Sequence, residues 1–160
     1  MKKILMALIA IVVMACNTLS PAERAERDAR IAQAVEKALA ARRYTVEIST
    51  MYPSHGRVRQ VSPEFGLLVK GDTLMSYLPY VGRAYSVPYG GGTGLNFTEP
   101  IEEYKAEKGK NGTTQILIKV SHEADLLSYQ LEVFDNGNTT INLTSRERES
   151  ISYSGNLVVK

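Results

Sequence analysis

Two histidines, His55 and His122, and a scatter of carboxylates are the residues in this sequence best suited to moving protons or holding a metal. Neither histidine stands in an HExxH-like spacing, and the chain has a single cysteine, so a zinc site has no support and no metal or cofactor is expected. Ser54-His55 lies between Pro53 and Gly56 and reads as an exposed loop. His122, followed by Glu123 and Asp125 where a strand gives way to a turn, reads as solvated. There is no GxSxG elbow and no SxxK pair to set up a nucleophile. Gly90-Gly91-Gly92-Thr93-Gly94 has the glycines of a phosphate loop but not the lysine that follows them, nor a strand–loop–helix setting. Glu99, Glu102 and Glu103 could be paired on paper, as could almost any acids. The expectation is a protein that is not an enzyme.

The thiol is more telling. Cys16 follows Val13-Met14-Ala15 at the end of an unbroken apolar run that starts at Ile4, behind Lys2 and Lys3. A membrane-spanning helix needs about 20 apolar residues, and this run is too short. Its length and charged lead-in are those of a signal peptide. A branched aliphatic residue, two tolerant positions with a small one last, and then cysteine resembles the lipobox of bacterial lipoproteins. The small residue admits the cut, and the sulfur carries the diacylglycerol. We expect a signal peptide over residues 1–15, a lipidated tether over 16–20 with the lipid (palmitate included) on Cys16, and one domain over 21–160. Each buried methylene contributes about 0.8 kcal/mol, so several acyl chains on one cysteine would hold the protein to a membrane.

A third group of residues suits recognition. Between Ser76 and Phe97 lie Tyr77, Tyr80, Tyr85, Tyr89, Phe97 and Arg83, together with Gly82, the glycines at 90–92 and Gly94. Pro79, Pro88 and the glycines forbid a long regular element. Long loops in compact domains tend to carry function, and tyrosine and arginine dominate binding hot spots. Two readings stay open. The loop binds a partner through Tyr80, Arg83, Tyr85 and Tyr89, or its tyrosines plug one end of a sheet while Arg83 pairs with a carboxylate.

The remaining sequence describes what must position these groups. With Lys2 and Lys3 removed, 17 Lys and Arg face 17 Asp and Glu, so the domain is neutral and no nucleic-acid partner is expected. Ser20-Pro21-Ala22-Glu23 reads as a capped helix start, and the helix should run to about Arg42. Ala25, Ala29, Ala32, Val35 and Leu39 give it an apolar stripe. Glu23 with Arg27, and Glu26 with Arg30, stand four apart for side-chain pairing. After Arg43 the period becomes two. Tyr44, Val46 and Ile48 alternate with polar residues, as do Ile116, Ile118 and Val120, then Leu127, Tyr129, Leu131 and Val133. Gly71-Asp72 and Asn136-Gly137 mark hairpin turns. Ile141, Leu143, Ile151, Tyr153, Leu157 and Val159 carry the last strands. The fold class is α+β: an N-terminal helix packed on a curved antiparallel β-sheet or flattened barrel.

Several blocks resemble one family. Tyr77-Leu78-Pro79-Tyr80-Val81-Gly82-Arg83-Ala84-Tyr85, Pro88-Tyr89, Gly94-Leu95-Asn96-Phe97, Val133-Phe134-Asp135-Asn136-Gly137 and Ile151-Ser152-Tyr153-Ser154-Gly155 are similar to the recurring blocks of the domain of unknown function 4251 family. Its members are small exported proteins, mostly lipoproteins, of Gram-negative gut anaerobes. The resemblance runs from about Tyr44 to the C-terminus. It implies an envelope location, in the periplasm or on the outer membrane, and no activity. The expectation is therefore a non-catalytic envelope lipoprotein whose loop takes a protein, a glycan or a small apolar ligand. Rival readings are a structural assembly accessory with the loop in its core, and a hydrolase whose site would gather His55 or His122 with carboxylates.

Overall fold

The computed structural model describes residues 20–83, 85, 95–110 and 112–158. Cys16 and Tyr89 lie outside these residues, as does the glycine run at 90–94. The chain gathers into two units, Met1–Arg30 and Ile31–Lys160. One helix, α1 (Pro21–Ala40), has residues in both.

In the first unit the helix starts as the sequence dictates. Ser20 Oγ accepts the Glu23 amide at 3.3 Å, and the Glu23 carboxylate accepts the Ser20 amide at 2.7 Å. These two hydrogen bonds satisfy amides that the first turn leaves without helical partners. Hydrogen bonding from the Ser20 amide, and then from its hydroxyl, holds the Glu23 carboxyl below its ordinary pKa. Engaged there, Glu23 makes no pair with Arg27, which turns to Asp28 instead. Glu26 and Arg30 do pair, at 2.5 Å. Only the later half of the apolar stripe is used: Ala25 and Ala29 are exposed, whereas Val35, Ala38 and Leu39 are buried. No helix among the described residues is long and apolar enough to cross a membrane.

The second unit is built on strands β1 (Arg43–Pro53), β2 (Arg59–Gln60), β3 (Gly66–Lys70), β4 (Thr73–Leu78), β5 (Leu95–Pro100), β6 (Glu103–Lys108), β7 (Thr113–His122), β8 (Asp125–Phe134), β9 (Asn138–Ser145) and β10 (Ile151–Val158). Among the described residues they form one antiparallel sheet in the order β5-β4-β3-β1-β10-β9-β8-β7-β6, with β2 paired to β1. The sheet curls into a half-barrel that brings β5 against β7. Alternation places Val46, Leu67, Leu74, Ile118, Tyr129, Ile141 and Tyr153 inside, all but fully buried. Val35, Ala38 and Leu39 join the same core from the helix. Val35 lies beside Gly137, whose φ of 86° suits the β8–β9 turn. At Gly155 any side chain would collide with the Glu47 carbonyl, next to the irregularity in β1 between Ile48 and Thr50.

Strands β5 and β6 were not expected from the sequence. The segment from Ser76 to Phe97 consequently shrinks, because Ser76–Leu78 belong to β4 and Leu95–Phe97 to β5. The connection proper is residues 79–94.

Candidate functional site

The strand registers put the ends of β1, β4, β7 and β9 and the starts of β3, β5, β8 and β10 at one end of the half-barrel. Two buried phenols mark that end from within. Tyr129 reaches Ser76 Oγ at 3.3 Å, and Tyr153 donates to the Pro79 carbonyl at 2.8 Å. Burial raises the pKa of both well above that of a free phenol.

The floor of the site is the β9–β10 connection, and Asp125 holds it. This carboxylate is 9% exposed. It accepts Ser145 Oγ at 2.6 Å, the Arg146 amide at 3.1 Å and the Glu147 amide at 3.4 Å, with Arg148 Nε 3.8 Å away. Its partners lie about twenty residues downstream, too far for local pattern to reveal.

The 79–94 connection is pinned to that floor at its root. The Tyr80 hydroxyl lies 3.0 Å from both the Arg83 and Glu149 carbonyl oxygens, sharing its proton between them. The Arg83 amide donates to the Glu149 carboxylate at 3.1 Å, and the Glu149 amide returns a bond to the Arg83 carbonyl at 3.0 Å. The Tyr85 amide donates to the Glu147 carbonyl at 2.7 Å. Arg148 stands over the Tyr80 ring, 5.6 Å from its centroid. Burial first, then the Glu149 charge, raises the Tyr80 phenol pKa.

Each reading of the loop therefore holds for part of it. Tyr80 is half-buried against the core and plugs the end of the sheet. Arg83 meets a carboxylate through its backbone amide, while its side chain is exposed. Tyr85 is 70% exposed although its backbone is tied down. His55 is exposed as expected, with Nδ1 3.6 Å from Glu149.

His122 departs from expectation. Its ring is half-buried, stacked 4.4 Å from Phe97, and Nδ1 lies 2.8 Å from Glu99 Oε1. Phe97 and Glu99 are on β5 and His122 on β7, so this contact closes by side chains a seam that backbone hydrogen bonds leave open. Beside it is a cleft of about 300 Å³ lined by Leu95, His122, Ala124, Asp125, Glu147 and Arg148, among others. The cleft does gather a histidine with carboxylates. However, Asp125 is saturated with donors, and among the described residues no serine or threonine hydroxyl is bonded to His122. No group of three metal-ligating side chains occurs among the described residues. None of Tyr80, Arg83 and Tyr85 lines this cleft.

Among the described residues, the later half of α1 packed on a curled antiparallel half-barrel, with a tyrosine-stapled connection at one end, defines a small α+β domain. The chain belongs to the domain of unknown function DUF4251 family, whose model matches residues 26–157. It is similar in fold to a DUF4251 family protein from Bacteroides eggerthii known from a crystal structure. The two are 18% identical, with a TM-score of 0.67, over 84% of this chain and 91% of that one. No curated protein matches.

Proposed function

We propose that this protein is a non-catalytic lipoprotein of the cell envelope, exported by residues 1–15 and anchored through a lipid on Cys16. Its loop end docks another protein through Arg83 and Tyr85. The observation that carries this reading is the split at the loop root. The backbone of Arg83 and Tyr85 is locked to Glu147 and Glu149 while both side chains point to solvent. A ring and a guanidinium held out on a fixed backbone lose little freedom on binding, which is the usual condition for a hot spot. Neither residue lines the cleft beside His122, and an exposed ring beside an exposed guanidinium suits a protein surface better than a small apolar ligand.

A photo-crosslinking residue at position 85, in cells making the lipidated protein, tests the docking. One reproducible protein adduct is expected, and Arg83→Ala should abolish it. A diffuse set of adducts unchanged by Arg83→Ala contradicts the reading. Labelling with a palmitate analogue tests the anchor, because Cys16→Ser should remove all label.

A further inference from the structure

The outward faces of β7–β10 carry a chemistry the loop does not share. Registered across them are Leu117, Gln130, Asn142 and Ser152 in one row, and Gln115, Glu132, Thr140 and Ser154 in the next. Glu132 is the only charged group of these eight. Lysines and acids gather instead at β6 and its flanks, where Glu103 meets Lys105 and Lys119, and Lys108 meets Glu36. Solvent-facing sheets ordinarily intersperse charges of both signs to stay soluble. This one offers amides and hydroxyls.

The same face is indented. Three clefts of about 390, 590 and 380 Å³ run along it, each within the range of ligand sites. The first two share Glu107, Gln115 and Glu132, and the second and third share Phe134. Phe134 is 38% exposed. A lone apolar residue on a surface needs no explanation, but this ring stands where two clefts meet, with Glu107, Lys108, Lys110 and Glu132 on the β6 side and the neutral polar groups of Asn138, Thr140, Ser154 and Asn156 on the β10 side. Ser152 donates to Asn142 Oδ1 at 2.7 Å, which leaves the Asn142 NH₂ turned to other acceptors. The amides of Gln115 and Gln130 make no hydrogen bond to the described residues. Each offers two donors and an acceptor.

We propose that the outer face of β7–β10 binds a neutral oligosaccharide, with Phe134 as the stacking ring and Gln115, Gln130 and Asn142 as the hydrogen-bonding amides. A sugar ring has a rim of hydroxyls, each donor and acceptor, and an apolar face of C–H bonds. Amides that donate and accept suit the first, and an exposed phenyl suits the second. A peptide strand would add to a sheet edge, and β7–β10 already have both backbone edges paired. Nucleic acid needs a basic face, and a membrane surface needs an apolar or basic one.

The test is retention of the detergent-purified full-length protein on an array of neutral oligosaccharides (α- and β-linked glucans, mannans and galactans), with sulfated and uronic-acid glycans alongside. At least one neutral glycan should bind, and equally at about 0.05 M and 0.5 M salt, since a neutral glycan brings no charge to be screened. Phe134→Ala and Gln130→Ala should each weaken retention about tenfold. Gln130 is exposed, so its variant keeps the test valid if Phe134→Ala folds poorly. Arg83→Ala should leave retention unchanged, which separates this face from the protein-docking loop. Retention of charged glycans alone, no retention, or equal binding by both variants overturns the proposal. So does self-association that Phe134→Ala abolishes, because the face would then belong to a second copy.

Discussion

The half-barrel is closed differently at its two ends. At the β8–β9 turn, Val35, Ala38 and Leu39 of α1 enter the core, and Val35 settles against Gly137. At the other end the closure is polar. Asp125 gathers the β9–β10 connection, Tyr80 staples the 79–94 connection onto it, and Tyr153 ties down Pro79. Apolar contacts are non-directional, so the helix end needs only surfaces of matching size. Hydrogen bonds fix particular atoms at particular distances, and that precision allows the backbone of Arg83 and Tyr85 to be held while their side chains remain free. The first arrangement stabilises. The second also presents.

The comparison breaks most sharply at Asp125. Replacing it with alanine strips partners from two backbone amides and from Arg148, at a cost of about 3 kcal/mol, and melting should fall by roughly ten degrees. Hydrogen exchange should rise at Glu147 and Glu149 before it rises in α1. Uniform loss of protection would mean the two ends are not separate. Leu39→Ala strikes the helix end at a similar or slightly lower cost of about 2–3 kcal/mol, from lost burial and the cavity left behind. It should leave the exchange of Glu147 and Glu149 nearly unchanged until global unfolding.

Alkali sharpens the picture with a smaller effect. Burial raises the pKa of Tyr44, Tyr129 and Tyr153 in the folded chain. The folded state therefore binds these protons more tightly than the unfolded state, where phenols titrate near about 10. Their stabilisation is whole below about pH 10 and is lost as pH rises beyond it. Phenolate absorbance should show these rings ionising together with unfolding. Their ionisation in a still-folded protein would contradict the burial.

Much of this fold is legible in the sequence. The alternation through β7, β8 and β9, the Asn136-Gly137 turn and the Ser20–Glu23 box are local patterns, and each appears where its residues place it. Strands β5 and β6 escape notice because edge strands need one apolar face at most. Tyr104 and Ala106 among charges do not read as a strand. The site was half legible. Composition singles out Tyr80, Arg83 and Tyr85 together, but nothing in it says that one turns inward and two outward. That choice is made by residues 147–149, more than sixty positions away, just as the roles of His122 and Asp125 are set by partners on other strands.

The division between plug and presented surface is tested most directly by the melting temperatures of Tyr80→Ala and Tyr85→Ala, measured side by side. Tyr80 loses a half-buried ring and its hydroxyl bonds, so its variant should melt lower by roughly five to ten degrees. Tyr85→Ala removes a ring that is 70% exposed and keeps the amide bonded to Glu147, so its melting should shift by about a degree at most. If Tyr85→Ala falls as far as Tyr80→Ala, both rings are structural and the presented surface does not exist.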